Sequence, residues 1–285
     1  MARSVVACGI VVSCWAFGAM RGAALENTRP APLLRMPSAS VSAGLPWAGR
    51  LVHAVPLRMS HVLRPVTAEY ARSGNLYGTA ELVAMLERTA QLIAGRWPGA
   101  QMAVGELSGP RGGKIKGHRS HRSGRDVDIA FFMHDADGRA THMHDFVTFK
   151  RDGSALRKQQ KLYFDDAKNW AMVASLLRDP EARVQLVFVA KRIRARLLLE
   201  GQRQGASDEL LRAAAAVMVQ PRRGHKHGNH FHVRIYCSRS DRFHGCDERG
   251  PVWQHEKKTF KYGGPERYDP VTWRRRVGTP NAAWR

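Results

Sequence analysis

Residues 117–128 read GHRSHRSGRDVD and residues 225–232 read HKHGNHFH, and these two stretches decide how the chain folds. Residues 230–237 alternate between apolar and polar side chains, which predicts a strand. Its core-facing side is Phe231, Val233 and Ile235, and its opposite side is His230, His232 and Arg234. Residues 127–132 are β-branched, aromatic or small and predict a second strand. We expect the two strands to bring both stretches to one site.

The rest of the chain mixes predicted helices with predicted strands. Apolar residues at helical spacing predict helices that begin after the capping residues Thr79, Asp165 and Ser207, with a further helix near 191–200. Further strands are predicted at 102–107 and 184–189. Because there is no regular βαβ alternation, the pattern favours an α+β fold, with a small central antiparallel sheet that carries the site and is flanked by helices.

The residue types in the two stretches are those that bind zinc. Histidine nitrogens and aspartate oxygens are common zinc ligands, and catalytic zinc sites leave a fourth position to water. His121 and Asp128 flank a turn that Gly124 allows to be tight, and His232 comes from the opposite stretch. The sequence therefore predicts that these two histidines and Asp128 bind Zn²⁺. Asp126 has the same strand parity as Asp128 and is expected to orient a ligand histidine.

The charge balance is strongly basic, with 46 Lys and Arg against 24 Asp and Glu and a formal net charge of +22. Such a field attracts polyanions, which include nucleic acids, anionic cell walls and membrane surfaces. Charge alone does not choose among these partners. Export to a bacterial periplasm would argue against nucleic acid as the partner.

The N-terminus has the order of a secretory signal, with Arg3, an apolar run over 4–20 and small residues at 22–24. The run is too short and too weakly apolar to predict a membrane span. We predict a signal peptide at 1–24, export to the periplasm, and no stable membrane span after cleavage. An uncleaved anchor and lipidation at Cys14 are the alternatives. Residues 25–46 are rich in Pro, Ala, Ser and Gly and are interpreted as a linker.

Two cysteines lie outside the predicted signal, Cys237 and Cys246. In an oxidising compartment they are predicted to form a disulfide, whereas a zinc role is less favoured without a CxxC spacing. Residues 248–285 form a basic, aromatic C-terminal tail. We interpret it as a solvated segment anchored at a few aromatic side chains, although its composition also suits sugars or nucleic acid.

Residues 120–129 and 227–234 resemble the penicillin-insensitive murein endopeptidases. These belong to a wider group of zinc peptidases that includes lysostaphin, the D-Ala-D-Ala metallopeptidases and the hedgehog signalling domain. The resemblance covers about residues 47–247, which we take as the zinc endopeptidase domain. It implies the same three zinc ligands, with His230 as the general base and His227 as a second catalytic histidine that steadies the transition state.

The resemblance also implies a further histidine beside the zinc, at His118. Some family members place a second metal near that position, using a downstream aspartate and histidine. Asp152 matches the aspartate, but Ala155 stands where the second histidine would be. This difference argues against a second metal at that position.

The resemblance implies a reaction and a substrate: hydrolysis of peptidoglycan cross-links, usually from D-alanine to meso-diaminopimelate. Penicillin should not acylate the enzyme, because no serine nucleophile motif is evident. The alternatives are a non-catalytic, zinc-containing cell-wall-binding module of the same fold, another zinc hydrolase of the wall such as an amidase or carboxypeptidase, and a nucleic-acid-binding protein. The sequence makes no prediction of oligomeric state.

Overall fold

The computed structural model describes residues 40–156, 161–258 and 260. The predicted signal peptide, the lipidation alternative at Cys14, most of the linker and most of the tail lie outside the described residues. None of the helices in the described ranges combines the length and the apolar character that a membrane span requires.

The described residues form short strands and six α-helices in mixed order. The strands are β1 (Val41–Leu45), β2 (Ala48–Val52), β3 (Val55–Pro56), β4 (Leu63–Pro65), β5 (Tyr77–Gly78), β6 (Met102–Val104), β7 (Asp126–Ala130), β8 (Met133–His134), β9 (Ala140–Thr141), β10 (Tyr163–Phe164), β11 (Val184–Phe188), β12 (Met218–Val219) and β13 (His230–Ile235). The helices are α1 (Ala68–Arg72), α2 (Ala80–Arg96), α3 (Asp166–Leu177), α4 (Lys191–Arg203), α5 (Asp208–Val217) and α6 (Arg239–Phe243), and Gln254–Glu256 form a 3-10 helix.

The largest sheet has six strands in the order β12-β11-β13-β7-β6-β4. Strands β11, β13, β7 and β6 pair antiparallel, whereas the outer strands β12 and β4 pair parallel to their neighbours. The prediction of a small antiparallel sheet is therefore wrong, because the sheet has six strands and its two outer strands pair parallel. The physical reason is that helices lie between the paired strands in the chain: α2 separates β4 from β6, and α4 with α5 separates β11 from β12, as parallel pairing requires.

The predicted helices begin near the predicted capping residues. The side chain of Asp165 accepts from Lys168 N at 3.0 Å, and that of Ser207 accepts from Leu210 N at 3.3 Å, which satisfies backbone donors at each N-terminus. Thr79 is the N-cap of α2 without a side-chain hydrogen bond. The apolar face of β13 is fully buried in the same core as these helices, so its histidine face points to the opposite side of the sheet.

Segments outside the expected domain boundaries also take part in the fold. β1 lies inside the stretch interpreted as a linker and pairs with β2. The start of the tail packs on the sheet, because Trp253 Nε1 donates to the carbonyl of Gln185 and Glu256 forms an ion pair with Arg183. The polar stretch with no predicted element contains a small sheet of β10, β8 and β9.

The predicted disulfide between Cys237 and Cys246 is present. It closes a short loop that carries α6, directly after β13. The backbone N–H of Asp247 then donates to the carbonyl of Gly44 at 3.0 Å, which attaches the end of this loop to β1.

Candidate metal centre

The register between β7 and β13 brings the two histidine-rich stretches together. The strands are antiparallel, and His232 lies opposite Asp128 while Arg234 lies opposite Asp126. Side chains directly opposite on one face of such a pair are close neighbours. The alternation expected from the sequence is thus present, with both aspartates on the histidine side.

His121 reaches the same place through the turn before β7. Gly124 in that turn has φ 76°, which favours glycine, and a Cβ there would lie 2.7 Å from the side chain of Leu51, which would have to shift. His121 itself has φ 64°, a left-handed conformation that is costly for a residue with a Cβ. Strain of this kind is held by surrounding contacts, and the His121 ring is fully buried.

Three side-chain atoms form a compact triangle at the centre. His121 Nε2 is 3.2 Å from His232 Nδ1 and 3.4 Å from Asp128 Oδ1, and His232 Nδ1 is 3.2 Å from Asp128 Oδ1. Donors around a tetrahedral ion at ordinary zinc distances lie about 3.3 Å apart. The structure therefore brings the three predicted ligands to the spacing that one small metal ion needs.

Hydrogen bonds on the far side of each ring determine where its proton lies. His121 Nδ1 donates to the carbonyl of Leu107 at 2.7 Å, so Nε2 carries a lone pair. His232 Nε2 donates to Asp126 Oδ1 at 2.8 Å, so Nδ1 of the neutral ring also carries a lone pair. Asp128 Oδ1 is buried and has no hydrogen-bond partner among the described residues. Three acceptor atoms that face one another in a buried space need a cation between them.

The charges around the triangle explain the pKa shifts. Burial lowers the pKa of His232, but the carboxylates of Asp126 and Asp128 outweigh burial and raise that pKa to about 9. Burial opposes ionisation of both aspartates, yet the neighbouring histidines hold the pKa of Asp128 well below its usual range, and Arg234 with His232 does so for Asp126. The two carboxylates thus favour a positive charge at this point, and metal binding there would be coupled to the release of any proton on His232.

Asp126 contacts both predicted ligand histidines and an arginine. Besides His232, it accepts a hydrogen bond from Arg234 Nε at 2.7 Å, and its other oxygen lies 3.4 Å from the backbone N of His121. Asp126 is fully buried. Its orienting role stays a prediction, and its carboxylate also neutralises a buried arginine.

His118 lies beside the triangle and forms, with His121 and Asp128, a group that could hold a metal ion. His118 is the looser member, since its Nδ1 is 3.7 Å from Asp128 Oδ2 whereas His232 Nδ1 is 3.2 Å from Asp128 Oδ1. His118 Nε2 is occupied by Glu106 Oε2 at 2.9 Å. We therefore place His232 rather than His118 in the closest donor set.

Glu106 borders the site but was not predicted from the sequence as a site residue. The other oxygen of Glu106 accepts from Asn75 Nδ2 at 2.7 Å, and its backbone carbonyl accepts from Asp128 N at 3.0 Å. Burial acts to raise the pKa of Glu106, but His118 and Asn75 outweigh burial and lower it. The available signal was its position near the end of the predicted strand at 102–107, before the loop that carries His118.

His230 and His227 border the triangle. His230 Nε2 is 3.5 Å from Asp128 Oδ1, and the His227 ring lies 5.0 Å from the His230 ring between centroids. Burial is the main cause that lowers the pKa of His230 to about 4 and that of His227 to about 3. Both rings are therefore neutral near pH 7.

Asp152 is not brought to this cluster in the described part of the chain. It is exposed, and its carboxylate accepts hydrogen bonds from the backbone and hydroxyl of Ser154. It belongs to neither of the two groups of possible metal ligands among the described residues. Its predicted place beside a second metal gains no support.

The mixed sheet carries a buried His/Asp group that could hold a metal ion, with two imidazoles beside it, an arrangement that metal-dependent hydrolases use. The sequence model of the penicillin-insensitive murein endopeptidases matches residues 66–259, and the chain belongs to that family. It is therefore a peptidase of a family that acts on peptidoglycan. The match extends past residue 247, in agreement with the packing of Trp253 and Glu256. A search of curated proteins finds no match.

Proposed function

We propose that the protein is a zinc-dependent murein endopeptidase that hydrolyses D-alanyl–meso-diaminopimelyl cross-links and is insensitive to penicillin. The observation that carries the proposal is the buried triangle of His121, Asp128 and His232, whose three side-chain atoms lie 3.2–3.4 Å from one another. Family membership supplies the class of substrate. The net charge of +22 suits a polyanionic wall.

We also propose that the protein acts in the periplasm, with residues 1–24 as its signal peptide. The disulfide between Cys237 and Cys246 supports this location, because disulfides persist in oxidising compartments. Fractionation of cells into periplasm and cytoplasm, followed by N-terminal sequencing, tests both parts. Recovery in the cytoplasm with Met1 intact would refute them.

The donor set fits Zn²⁺ through His121 Nε2, Asp128 Oδ1 and His232 Nδ1. Two imidazole nitrogens and one carboxylate oxygen are typical of catalytic zinc, which keeps a fourth position open. A bound zinc ion supplies polarisation of the scissile carbonyl and lowers the pKa of water.

His230 is proposed to take a proton from the attacking water and to return it to the leaving amine. Its Nδ1 donates to Asn229 Oδ1 at 2.8 Å, so the lone pair lies on Nε2, the nitrogen that faces Asp128. The neutral ring is the form that a general base requires. The buried location and the pKa near 4 keep it in that form at pH 7.

His227 is proposed to donate a hydrogen bond to the oxyanion that develops on the scissile carbonyl. Burial and the nearby histidines lower its pKa to about 3, so the ring that donates is neutral. Its Nδ1 is buried without a hydrogen-bond partner, so this nitrogen is free to act on a substrate.

A muropeptide profile by mass spectrometry tests the proposed function. Purified protein is incubated with cross-linked sacculi and penicillin, with and without a chelator. We expect cross-linked dimers to become monomers only when zinc is present, and the product masses to identify the cleaved bond. His121→Ala should abolish cleavage, whereas His244→Ala, a change at an exposed histidine, should retain it.

Two results would contradict the proposal in different ways. Cleavage that survives both chelation and His121→Ala would exclude the zinc mechanism. Protein that sediments with sacculi but leaves the dimers intact would instead support the non-catalytic wall-binding alternative.

A further inference from the structure

A second histidine group lies next to the proposed zinc ligands. It consists of His225, His227 and His230, and one ring nitrogen from each lies within 4.8 Å of the others. His225 and His227 belong to the loop before β13, and His230 is the first residue of that strand. None of the three belongs to the donor triangle.

Two members of this group present unused ring nitrogens. His227 Nδ1 is buried and has no hydrogen-bond partner. His230 donates through Nδ1 to Asn229, which leaves its Nε2 as an acceptor. Within the described part of the chain, both nitrogens are therefore available to a metal ion.

His225 closes the group from the solvent side. Its ring is stacked on the His230 ring, with centroids 5.6 Å apart and planes 10° from parallel. Its Nδ1 accepts from the backbone N of His227 at 3.1 Å, which holds the ring close to the other two. This hydrogen bond is exposed, so water can replace it when the ring turns to bind a metal.

The surrounding charge permits a second cation close to the first. Asp128 lies between the two groups, with Oδ1 shared by the triangle and 3.5 Å from His230 Nε2. Its carboxylate reduces the repulsion between two cations. Three imidazole donors favour Zn²⁺, Cu²⁺ or Ni²⁺ over Mg²⁺ and Ca²⁺, which prefer oxygen ligands.

We propose that His225, His227 and His230 bind a second transition-metal ion and that this binding inhibits the peptidase. The inhibition rests on the proposed function of His230, because a lone pair that is bound to a metal cannot accept a proton from water. His225 is the residue that makes the site possible, and it has no part in the proposed reaction.

Zinc binding tests the site without any need for activity. In a titration against a chromophoric chelator, wild-type protein and the control His244→Ala should each bind two zinc ions, and His225→Ala should bind one. His121→Ala should lose the first site and keep the second. A single zinc ion on the wild type, or two on His225→Ala, would overturn the proposal.

Activity at increasing free zinc tests the inhibition. Loss of a residue that merely supports a metal ligand typically lowers metal affinity about 10- to 100-fold. Loss of a ligand itself should therefore raise the zinc concentration that gives half-inhibition by at least about tenfold. We expect His225→Ala to keep full activity at low zinc and to show this shift, with His244→Ala unchanged. Equal sensitivity of His225→Ala and the wild type would overturn the inhibition.

The two assays separate failure of this inference from failure of the proposed function. If the wild type cleaves no cross-links at any zinc concentration, the proposed function and the inhibition are both wrong. The number of zinc ions bound by His225→Ala, compared with the wild type, would still decide whether the second metal site exists.

Discussion

The replacement Asp126→Asn tests whether one buried carboxylate fixes the metal-binding form of His232. In the wild type, Asp126 Oδ1 accepts from His232 Nε2 at 2.8 Å and from Arg234 Nε at 2.7 Å. Asparagine has the same shape but no charge. If its amide nitrogen faces His232, the ring proton moves to Nδ1 and blocks the metal. If its oxygen faces His232, the buried charge of Arg234 is left without compensation.

The contacts that are lost indicate how much zinc affinity and how much stability the replacement should cost. Loss of a residue that supports a metal ligand typically costs about 10- to 100-fold in metal affinity, which is about 1.4–2.7 kcal/mol. Loss of one partner of a buried ion pair costs about 3–5 kcal/mol of stability, and Arg234 is buried. We therefore expect weaker zinc binding and a lower free energy of unfolding.

The two effects are measured separately. Competition with a chromophoric chelator gives the zinc Kd, and urea denaturation in the presence of a stronger chelator gives the stability of the metal-free protein. Asp152→Asn is the matched control, because Asp152 is exposed and bonds only within its own turn. A variant Asp126→Asn with unchanged zinc Kd and unchanged stability would refute the role assigned to this carboxylate.

Three further predictions concern residues around the site and away from it. Glu106→Gln should lower kcat/KM by about tenfold at unchanged zinc stoichiometry, because the charge that orients His118 is lost; an unchanged kcat/KM would exclude this role. Replacement of Cys237 and Cys246 by serine should lower the free energy of unfolding in urea by about 2–3 kcal/mol, and no change would show that the loop is held by other contacts. Burial raises the pKa of Asp241 to about 7. The protonated form therefore contributes its full share of the free energy of unfolding below about pH 4, and this share is lost as the pH rises through 7. In urea titrations, Asp241→Asn should gain stability relative to the wild type between about pH 5 and about pH 8, and a difference that is constant with pH would contradict the shift.

The histidine face of the site could be predicted because it depends on local alternation. A strand places every second side chain on one face, so the pattern at 230–235 predicted where His230 and His232 point. The same rule placed Asp126 and Asp128 together. Their pairing follows once the two strands are neighbours, as the register of β7 and β13 confirms.

The edges of the sheet and the contact of Glu106 depend on distant pairings instead. β4 has only three residues, Leu63–Pro65, and carries no alternation long enough to predict a strand. Its pairing with β6 depends on how α2 crosses the sheet. Glu106 reaches His118 because the loop between them folds back, and no local pattern encodes that return.

Because the proposed donors come from distant parts of the chain, the proposed centre cannot form early in the protein's synthesis. His121 and Asp128 alone give two donors, and the third, His232, is made only after β11 and β12. A nascent or truncated chain that ends before β13 therefore has no complete centre and lacks the proposed base. An enzyme able to cut the wall of its own cell would thus remain inert until β13 has been made and has paired with β7.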